Sequence, residues 1–309
     1  MGNDAGSPSR KSAAQVRPKE IVVLSGKGGT GKTTVLAGLA HLAAQELSLV
    51  LADADVDAAN LELVVGAEVQ RREEFRGGQV AVVDAEGCTT CGRCAEVCRF
   101  GAILAGKPYG VDRVLCEGCR VCFYECPAGA VRMEESLDGH WYVSRSRYGW
   151  LVHGDLRAGR ENSGKLVALV KKEARRLAQE EHARLLLVDG PPGIGCPAIA
   201  SLSGADLALM VTEPTVAGVH DLERIVGLAR HFRVPMALCL NKADLSATWR
   251  WEVERFCARE EIALAGSIPF DRQVVEAMLQ GRPVTACGNG PAAQAIFRLW
   301  EALRAMVEV

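Results

Sequence analysis

The segment GKGGTGKTT, residues 26–34, follows the apolar stretch IVVLS of residues 21–25 and leads into TTVLAGLAHLAAQEL, residues 33–47, which is rich in alanine and leucine. Its spacing fits G-x4-G-K-[ST] between a strand and a helix, the pattern of a phosphate-binding loop. Glycines let backbone N–H groups turn towards phosphate oxygens, and the N-terminal end of the following helix is electropositive. The segment therefore predicts a nucleotide-binding α/β fold.

The side chains of this loop have separate expected roles. We expect Lys32 to reach the β- and γ-phosphates and the Thr33 hydroxyl to bind Mg²⁺. Asp189 ends the apolar strand LLLVD of residues 185–189 and is expected to hold the Mg²⁺ shell through water. The residues expected around the phosphates are Gly26, Gly28, Gly29, Thr30, Gly31, Lys32, Thr33 and Thr34.

Strand-like and helix-like segments alternate through most of the chain. This alternation predicts a mostly parallel, doubly wound sheet with helices on both faces. Residues 80–136 interrupt it, because they are rich in Cys and Gly and contain only short hairpin-like pieces, QVAVVD (79–84) and AVRME (130–134). We therefore expect one nucleotide-binding domain, formed by residues 19–79 and 137–309, with a small α+β domain inserted at 80–136. A segment this short needs metal for its own stability.

Composition limits the possible partners and location. The chain has 309 residues, 49% of them hydrophobic, and a net charge of −2, which argues against nucleic-acid binding. No apolar run reaches transmembrane length. Residues 1–18 lack an apolar stretch and are expected to be a disordered tail rather than a signal peptide. We therefore expect a cytoplasmic protein.

Twelve cysteines are many for such a protein, and eight of them lie between residues 88 and 126. Disulfides are disfavoured in a reducing compartment, so metal ligation is the better interpretation. The eight form two runs of spacing C-x2-C-x2-C-x3-C, which start at Cys88 and Cys116. Paired C-x2-C units also bind zinc. The x3-C ending of both runs favours iron–sulfur clusters.

The two runs resemble the bacterial two-cluster ferredoxins, in which the fourth cysteine of each run ligates the other cluster. The second run ends in Cys126-Pro127 as that pattern requires, whereas the first ends in Cys98-Arg99. The resemblance implies two [4Fe–4S] clusters. The ligands it implies are Cys88, Cys91, Cys94 and Cys126 for one cluster, and Cys116, Cys119, Cys122 and Cys98 for the other.

The additional lysine Lys27 makes the loop resemble the deviant phosphate loop of the MinD/ParA/Mrp superfamily, to which the nitrogenase iron protein is related. The resemblance implies ATP as the nucleotide. It also implies a homodimer that closes on two ATP molecules, in which Lys27 touches the partner's nucleotide. Taken with the cysteine runs, the resemblance covers nearly the whole chain from about residue 20. The chain as a whole resembles superfamily ATPases with an inserted ferredoxin domain.

Three further segments resemble motifs of this family. DADVDAANL (53–61) resembles the first switch, which implies that Asp55 positions the attacking water, with Asp53 as a supporting acid and Asp57 as a weaker candidate; an Asp-rich corner without that role is the alternative. DGPPGIG (189–195) resembles the second switch. LNKAD (240–244) and IPFD (268–271) resemble the segments around the base, which implies adenine contacts from Asn241, Pro269 and Phe270.

Three other segments allow two interpretations each. Cys196 lies seven residues after Asp189, so it is either a ligand of a cluster between two subunits or a thiol that is packed or lies near the insert. ENSGK (161–165) either caps a helix through Asn162 or Ser163 or contacts the insert or a partner subunit. The C-terminal stretch AAQAIFRLWEALRAMVEV has helical apolar spacing but a mixed-charge polar face, so packing on the sheet is favoured over membrane binding.

Three functions remain open. The first is an ATP-gated electron-transfer protein, in which nucleotide state couples to docking or electron delivery by the clusters to an unknown redox or protein partner. The second is a MinD/ParA-like positioning or cell-division ATPase with redox-sensing clusters. The third is a cluster carrier or assembly ATPase, which complete four-cysteine sites disfavour. All three predict slow ATP hydrolysis without a partner.

Overall fold

The structure is a computed structural model that describes residues 17–157, 159 and 162–309. The tail predicted for residues 1–18 lies outside the described residues except for its last two, and Glu161 of the ENSGK segment also lies outside them. The elements in chain order are β1 (Lys19–Ser25), α1 (Lys32–Ala43), β2 (Leu49–Asp53), α2 (Leu61–Val65), β3 (Glu68–Phe75), β4 (Gly78–Val83), α3 (Arg93–Glu96), β5 (Ile103–Leu104), β6 (Gly110–Val111), α4 (Val121–Tyr124), β7 (Val131–Ser136), β8 (Gly139–Arg145), β9 (Trp150–Leu156), α5 (Ser163–Glu180), β10 (Leu185–Pro192), α6 (Cys196–Leu202), β11 (Leu207–Thr212), α7 (Val216–His231), β12 (Met236–Asn241), α8 (Ala247–Glu260), β13 (Ala263–Ile268), α9 (Arg272–Leu279), a 3₁₀ turn (Val284–Ala286) and α10 (Pro291–Val307).

The main sheet contains nine strands of the described chain, in the order β13-β12-β11-β1-β10-β2-β9-β8-β3. The pairs from β13 to β9 are parallel, and only β9–β8 and β8–β3 are antiparallel. This arrangement confirms the predicted mostly parallel α/β fold. It also places the carboxyl ends of β1, β2, β10 and β11 side by side, where ligands bind in open α/β sheets.

The central strands are buried on both faces, which explains their continuous apolar sequences. Residues 21–24 of β1 have no exposed surface. Val22 and Leu24 face a core covered by α5, α7 and α8, whereas Ile21 and Val23 face a core covered by α1 and α10. Strand β1 therefore holds the loop that follows it between two packed layers.

The C-terminal helix α10 belongs to the second of these layers. Its buried side chains include Ile296, Leu299, Trp300 and Leu303, none of them more than 1% exposed. The predicted packing of this segment on the sheet is therefore confirmed. Among the described helices, none combines the length and the apolar character needed to cross a membrane.

The antiparallel edge of the sheet carries the cysteine-rich segment. Strands β3 and β8 pair as far as Phe75 and Gly139. A separate ladder then begins at Gly78 and Ser136 and joins β4 to β7, and β5 pairs with β6. Between residues 78 and 136, all of which are described, no strand joins the main sheet. This segment, called the insert below, therefore extends from the end of an edge hairpin.

Candidate functional site

The glycine-rich loop crosses the carboxyl end of the sheet between β1 and α1. Gly31 has φ 93°, in the left-handed region that favours glycine. A Cβ at this position would also collide with the side-chain amide of Asn241. The next residue, Lys32, begins α1 and is only 6% exposed, so its position is fixed by packing as well as by the loop.

Carboxylates from two adjacent strands meet beneath this loop. Asp189 of β10 and Asp53 of β2 are register partners, and both are fully or almost fully buried. The Thr33 hydroxyl donates to Asp189 Oδ2 at 2.5 Å. The other oxygen, Asp189 Oδ1, is buried and has no hydrogen-bond partner within the described structure. An unsatisfied buried acceptor beside a hydroxyl indicates a site for a cation or its water shell.

The protonation of these acids is shifted by burial. Burial raises the pKa of Asp189, although the Thr33 hydroxyl and the Lys32 ammonium oppose the rise. Burial also raises the pKa of Asp55, again opposed by Lys32. A cation at this position would favour the ionised forms. Since Mg²⁺ prefers oxygen ligands, the hydroxyl and carboxylate set fits that ion.

Asp53 organises the predicted first switch from below. Its carboxylate accepts the backbone N–H groups of Asp55, Asn60 and Leu61, each at 3.1 Å. Burial and the charge of Asp189 raise the pKa of Asp53 well above its ordinary value, although the N–H groups of Leu61 and Asp55 oppose the rise. Asp53 therefore supports the loop, whereas Asp55 and Asp57 line the cleft above it.

The cleft has a polar end and an apolar end. The polar end, about 1130 Å³ including its open mouth, is lined by the glycine-rich loop, Asp55, Asp57 and Pro191. A second cavity of about 660 Å³ shares Gly29, Gly31, Thr34 and Met278 with the first and is therefore continuous with it. Its other lining residues include Asn241, Ile268, Pro269, Phe270 and Val274. The combined cleft therefore extends from the acids at one end to the apolar residues at the other.

Asn241 lies at the apolar end, but its side chain already has partners. Its amide nitrogen donates to the Thr30 carbonyl at 2.8 Å, and its oxygen accepts the Lys242 N–H at 3.0 Å. The residue therefore joins the end of β12 to the glycine-rich loop. Pro269 and Phe270 line the same cavity, as expected from their segment, and the Phe270 N–H donates to Asp244.

Lys27 points to an acid of its own chain. Its Nζ donates to Glu213 Oε1 at 2.5 Å, and the Lys242 Nζ lies 3.0 Å from the other oxygen of the same carboxylate. Sequence reasoning missed Glu213. A glutamate directly after a strand, in VTEP at residues 211–214, is the signal that could have drawn attention to it, because the carboxyl ends of parallel strands converge on the ligand site.

The insert contains two similar turns. Thr90 and Gly118, which occupy equivalent positions in the two cysteine runs, have φ 57° and 63°. The equivalent pair Gly92 and Arg120 have φ 82° and 64°, and each precedes a short helix, α3 or α4. The two runs therefore share one backbone conformation, although Arg120 is a residue type that rarely adopts it.

Cysteines of the two runs are interleaved. Cys94 is influenced by Cys88 and by Cys126 of the other run: burial raises the pKa of its thiol most, and these two neighbours add to the rise. Burial raises the pKa of the Cys122 thiol most, and Cys116, Cys119, Cys98 and Cys94 add to the rise. Cys91 lines a shallow pocket together with Cys88, Cys94 and Cys126. Cysteines of the two runs therefore lie near one another, and the division of the eight into two cluster sites stays a prediction.

A site for a single metal ion would need several ligand side chains close together. Within the described ranges, no three Cys, His, Asp or Glu side chains are close enough to hold one metal ion.

Comparison with known proteins agrees with the nucleotide site. Residues 21–284 match the family model of the CobQ/CobB/MinD/ParA nucleotide binding domain. The chain belongs to this family. It is also 30% identical over 288 residues to the uncharacterized protein MJ0578 of Methanocaldococcus jannaschii, a match that covers 93% of this chain and 97% of the relative.

Two further relatives carry more informative names. The septum site-determining protein MinD of Bacillus subtilis is 25% identical over 272 residues, which cover 85% of this chain and 81% of that protein. The solved structure of MinD from Pyrococcus horikoshii, complexed with Mg-ADP, superposes with a TM-score of 0.59 at 18% identity over 93% of this chain and 96% of that one. The latter likeness shows the shared fold.

Within this MinD/ParA-type fold, α5 connects two regions. Asn162 precedes α5 but makes no side-chain capping hydrogen bond, so the expected cap is wrong for that residue. Instead its side chain packs against Gly77 and Gly78 at the base of the insert, and the Lys165 Nζ donates to the Gly77 carbonyl at 2.7 Å. The described residues of ENSGK therefore contact the chain just before residue 80, and the expected contact with residues 80–136 stays a prediction.

Cys196 lies beside the first turn of α5, on α6. It is exposed at the start of α6, and a Cβ on Gly164 of α5 would lie 3.1 Å from the Cβ of Cys196. Cys239 and Cys257 are buried, and burial raises their pKa to about 12 and about 11. Cys196 is therefore the one scattered cysteine among the described residues that sits next to the second switch.

Proposed function

We propose that the protein is a magnesium-dependent ATPase of the MinD/ParA type that alternates between an ATP-bound dimer and a separated ADP state. The observation that carries the proposal is the Thr33–Asp189 pair with its unsatisfied carboxylate oxygen, set below a glycine-rich loop and a cleft that extends from the acids to apolar residues. The Mg-ADP in the P. horikoshii MinD structure supports the choice of ligand.

Each residue of the cleft has a proposed part in hydrolysis. Lys32 and the loop N–H groups hold the β- and γ-phosphates, and Asp55 orients a water molecule in line with the γ-phosphorus. The water oxygen bonds to phosphorus as the bond to the β–γ bridging oxygen breaks, which gives ADP and phosphate. When bound, Mg²⁺ would neutralise charge on the β- and γ-oxygens, with Thr33 as a ligand and Asp189 holding its water shell.

The dimer is part of the same proposal. Lys27 would reach the nucleotide of the second copy and stabilise the charge that develops on its phosphates. Its side chain is 31% exposed at the mouth of the site, which makes such a contact accessible. We also propose that the protein acts in the cytoplasm.

A substitution series tests the ATPase. ATP hydrolysis should fall at least about 100-fold in Asp55→Ala, since orienting the nucleophile contributes factors of that order, while ATP binding persists. Lys32→Ala should lose binding as well. Glu301→Gln on the distant helix α10 is the matched control. Equal hydrolysis in Asp55→Ala and the control would refute the assignment.

We further propose that the insert holds two [4Fe–4S] clusters. The donor chemistry fits, because thiols of the two runs lie near one another and the runs share one backbone turn. Cys88, Cys91, Cys94 and Cys126 would hold one cluster, and Cys116, Cys119, Cys122 and Cys98 the other. Backbone N–H groups also reach ligand sulfurs: Ala81 to Cys116 at 3.4 Å and Ala130 to Cys126 at 3.3 Å. Such contacts tune cluster potential, and bound clusters supply one-electron transfer.

Iron and sulfide content test this part. After anaerobic purification, about eight iron atoms and eight sulfides per chain are expected. Cys94→Ser should lose about half of both and change the low-temperature EPR spectrum of the reduced protein. Cys287→Ser, an exposed cysteine outside the insert, should change neither. Bound zinc without sulfide would overturn the proposal.

The comparisons favour a MinD/ParA-like positioning switch over a dedicated electron carrier, because the named relatives are septum site-determining proteins. We therefore propose that nucleotide state controls where, or on which partner, the insert docks. A fluorescent fusion should show a non-uniform distribution in cells that becomes uniform in Lys32→Ala. A uniform wild-type distribution would contradict positioning.

Electron transfer is the second candidate, favoured by the complete and interleaved cysteine sets. It predicts that cluster midpoint potentials differ by about 60 mV, or about 1.4 kcal/mol per electron, between the ADP state and the state with a non-hydrolysable ATP analogue. Equal potentials would remove it. The cluster-carrier hypothesis is disfavoured because four thiolates per cluster oppose release.

A further inference from the structure

Glu213 joins two lysines at the mouth of the nucleotide site. Lys27 Nζ lies 2.5 Å from one carboxylate oxygen and Lys242 Nζ lies 3.0 Å from the other. The Glu213 side chain is only 12% exposed, whereas each lysine side chain is 31% exposed. Lys242 also donates to the Gly29 carbonyl at 3.2 Å, so the cluster is attached to the glycine-rich loop.

The carboxylate is held in its charged form. Burial alone raises the pKa of Glu213, but the hydrogen bonds and charges of Lys27 and Lys242 outweigh burial and leave the pKa below its usual value. Charge-assisted hydrogen bonds of this kind are short and about twice as strong as neutral ones. Lys27 is therefore not a free side chain in the single protomer.

The position of Glu213 explains why it reaches Lys27. It directly follows β11, and β11 is the parallel neighbour of β1, which leads into the loop that contains Lys27. Two residues 186 positions apart are thus brought to the same edge by the sheet order. The contact therefore depends on the order of the central strands.

We propose that Glu213 is a positioning residue that holds Lys27 in its own protomer until the ATP dimer closes, when Lys27 exchanges this carboxylate for the phosphates of the partner's nucleotide. The inference rests on the proposed dimeric ATPase and adds a competing partner for Lys27 within the chain. The exchange makes and breaks ionic contacts only.

Lys242 makes this exchange feasible. Leaving a largely buried carboxylate without a partner is strongly unfavourable. Because Lys242 pairs with the second oxygen, Glu213 keeps one cation when Lys27 departs. Because of this double pairing, Lys27 can leave while Glu213 keeps one ion-pair partner. The hydrogen bond from Lys242 to the Gly29 carbonyl is also kept.

Both chains in the test carry Asp55→Ala, which slows hydrolysis. One of them also carries Glu213→Gln, and the other keeps Glu213. Sedimentation with ATP and Mg²⁺ should show dimers at a protein concentration about tenfold lower in Glu213→Gln, the effect of one charge-assisted hydrogen bond. Glu213→Asp, which keeps the charge but shortens the reach, should fall between the two. The control Glu254→Gln changes a surface acid that pairs with Arg250 on α8 and should have no effect.

A second readout needs no dimer. Amine labelling of nucleotide-free protein, quantified by mass spectrometry, should modify Lys27 faster in Glu213→Gln than in Glu254→Gln. Unchanged labelling, or dimerisation that needs more protein in Glu213→Gln, would overturn the inference. If the parent chain does not dimerise with ATP while labelling of Lys27 still rises in Glu213→Gln, the proposed function fails and the restraint on Lys27 stands.

Discussion

At the scale of single residues, Asp189 uses its two oxygens differently. One accepts the Thr33 hydroxyl, and the other is buried without a partner among the described residues. Burial raises the pKa of Asp189 and of its neighbour Asp53, so protonation competes with cation binding at a higher pH than for ordinary carboxyl groups. Metal affinity and acidity are therefore linked at this site.

This linkage gives a prediction about pH. A carboxyl whose folded pKa is raised loses its charge as the pH falls towards neutral values, so Mg²⁺-dependent ATP binding should weaken between about pH 8 and pH 6 and binding should release protons. Titration calorimetry in buffers of different ionisation enthalpy measures both effects. Asp189→Asn should bind Mg²⁺ weakly at every pH and abolish the proton release, whereas Glu301→Gln should retain the wild-type profile. A flat profile in the wild-type chain would contradict the prediction.

Residues with a local signature could be predicted from the sequence, and those without one could not. The glycine-rich loop and the cysteine runs have fixed spacings, and Asp189 stands at the end of a recognisable apolar strand. Glu213 has no such spacing, because its partner Lys27 is distant in the chain and the contact depends on strand order. The hydrogen bond of Asn241 could not be predicted either, because its amide donates to the carbonyl of Thr30, which lies 211 residues away in the chain.

At the scale of secondary-structure elements, α5 is the segment that touches both functional regions. Its first turn donates to Gly77 at the base of the insert through Lys165, and Gly164 of the same turn packs against Cys196 of α6. Asp138, across the base, accepts the Gly77 N–H at 3.1 Å. A shift of the second switch on ATP binding would therefore reach the insert through one helical turn.

Lys165→Met tests this connection, because it removes the hydrogen bond and keeps the aliphatic part of the side chain. In the wild-type chain, hydrogen exchange of β4 and β7 should differ between ADP and an ATP analogue. In Lys165→Met that difference should fall by about half or more, since local opening depends on the few contacts at the base.

The control is Lys172→Met, an exposed residue of the same helix. It should retain the full difference between the two nucleotide states. Identical exchange differences in Lys165→Met and Lys172→Met would mean that the first turn of α5 does not transmit the nucleotide state.

The predicted elements differ from the observed ones where tertiary pairing decides. Strand β3, EVQRREEF, has an exposed residue at every position except Phe75 and shows no alternation of apolar and polar residues. Its pairing with β8 stabilises it, and that information is not local in the sequence. The central strands were predictable because burial on both faces requires continuous apolar residues.

At the scale of the whole molecule, the two parts have unequal cores. The main sheet buries two large hydrophobic clusters. The insert buries few side chains, which are Val80, Ala81, Cys94, Ala102, Ala130, Val131 and Ser136. A core this small contributes little stability, and small domains commonly add disulfides or metal to compensate.

Removal of iron should therefore affect the insert and spare the main sheet. After anaerobic chelation, trypsin should cut first within residues 93–120, while ATP binding and the main thermal transition remain close to those of the untreated protein. Reconstitution with iron and sulfide should restore resistance. Loss of ATP binding in parallel with iron would show that the two parts do not fold separately.

The position of the insert has a consequence for the history of the chain. The main ladder ends at Phe75 and Gly139, and the insert's ladder starts at Gly78 and Ser136, so the two chain crossings lie side by side at the tip of an edge hairpin. A gene segment encoding residues 78–136 could be gained, lost or exchanged there without altering a single pairing of the nine-stranded sheet. Another small domain could be inserted at the same junction, in place of residues 78–136, and would then be attached to the nucleotide-binding domain at the same point.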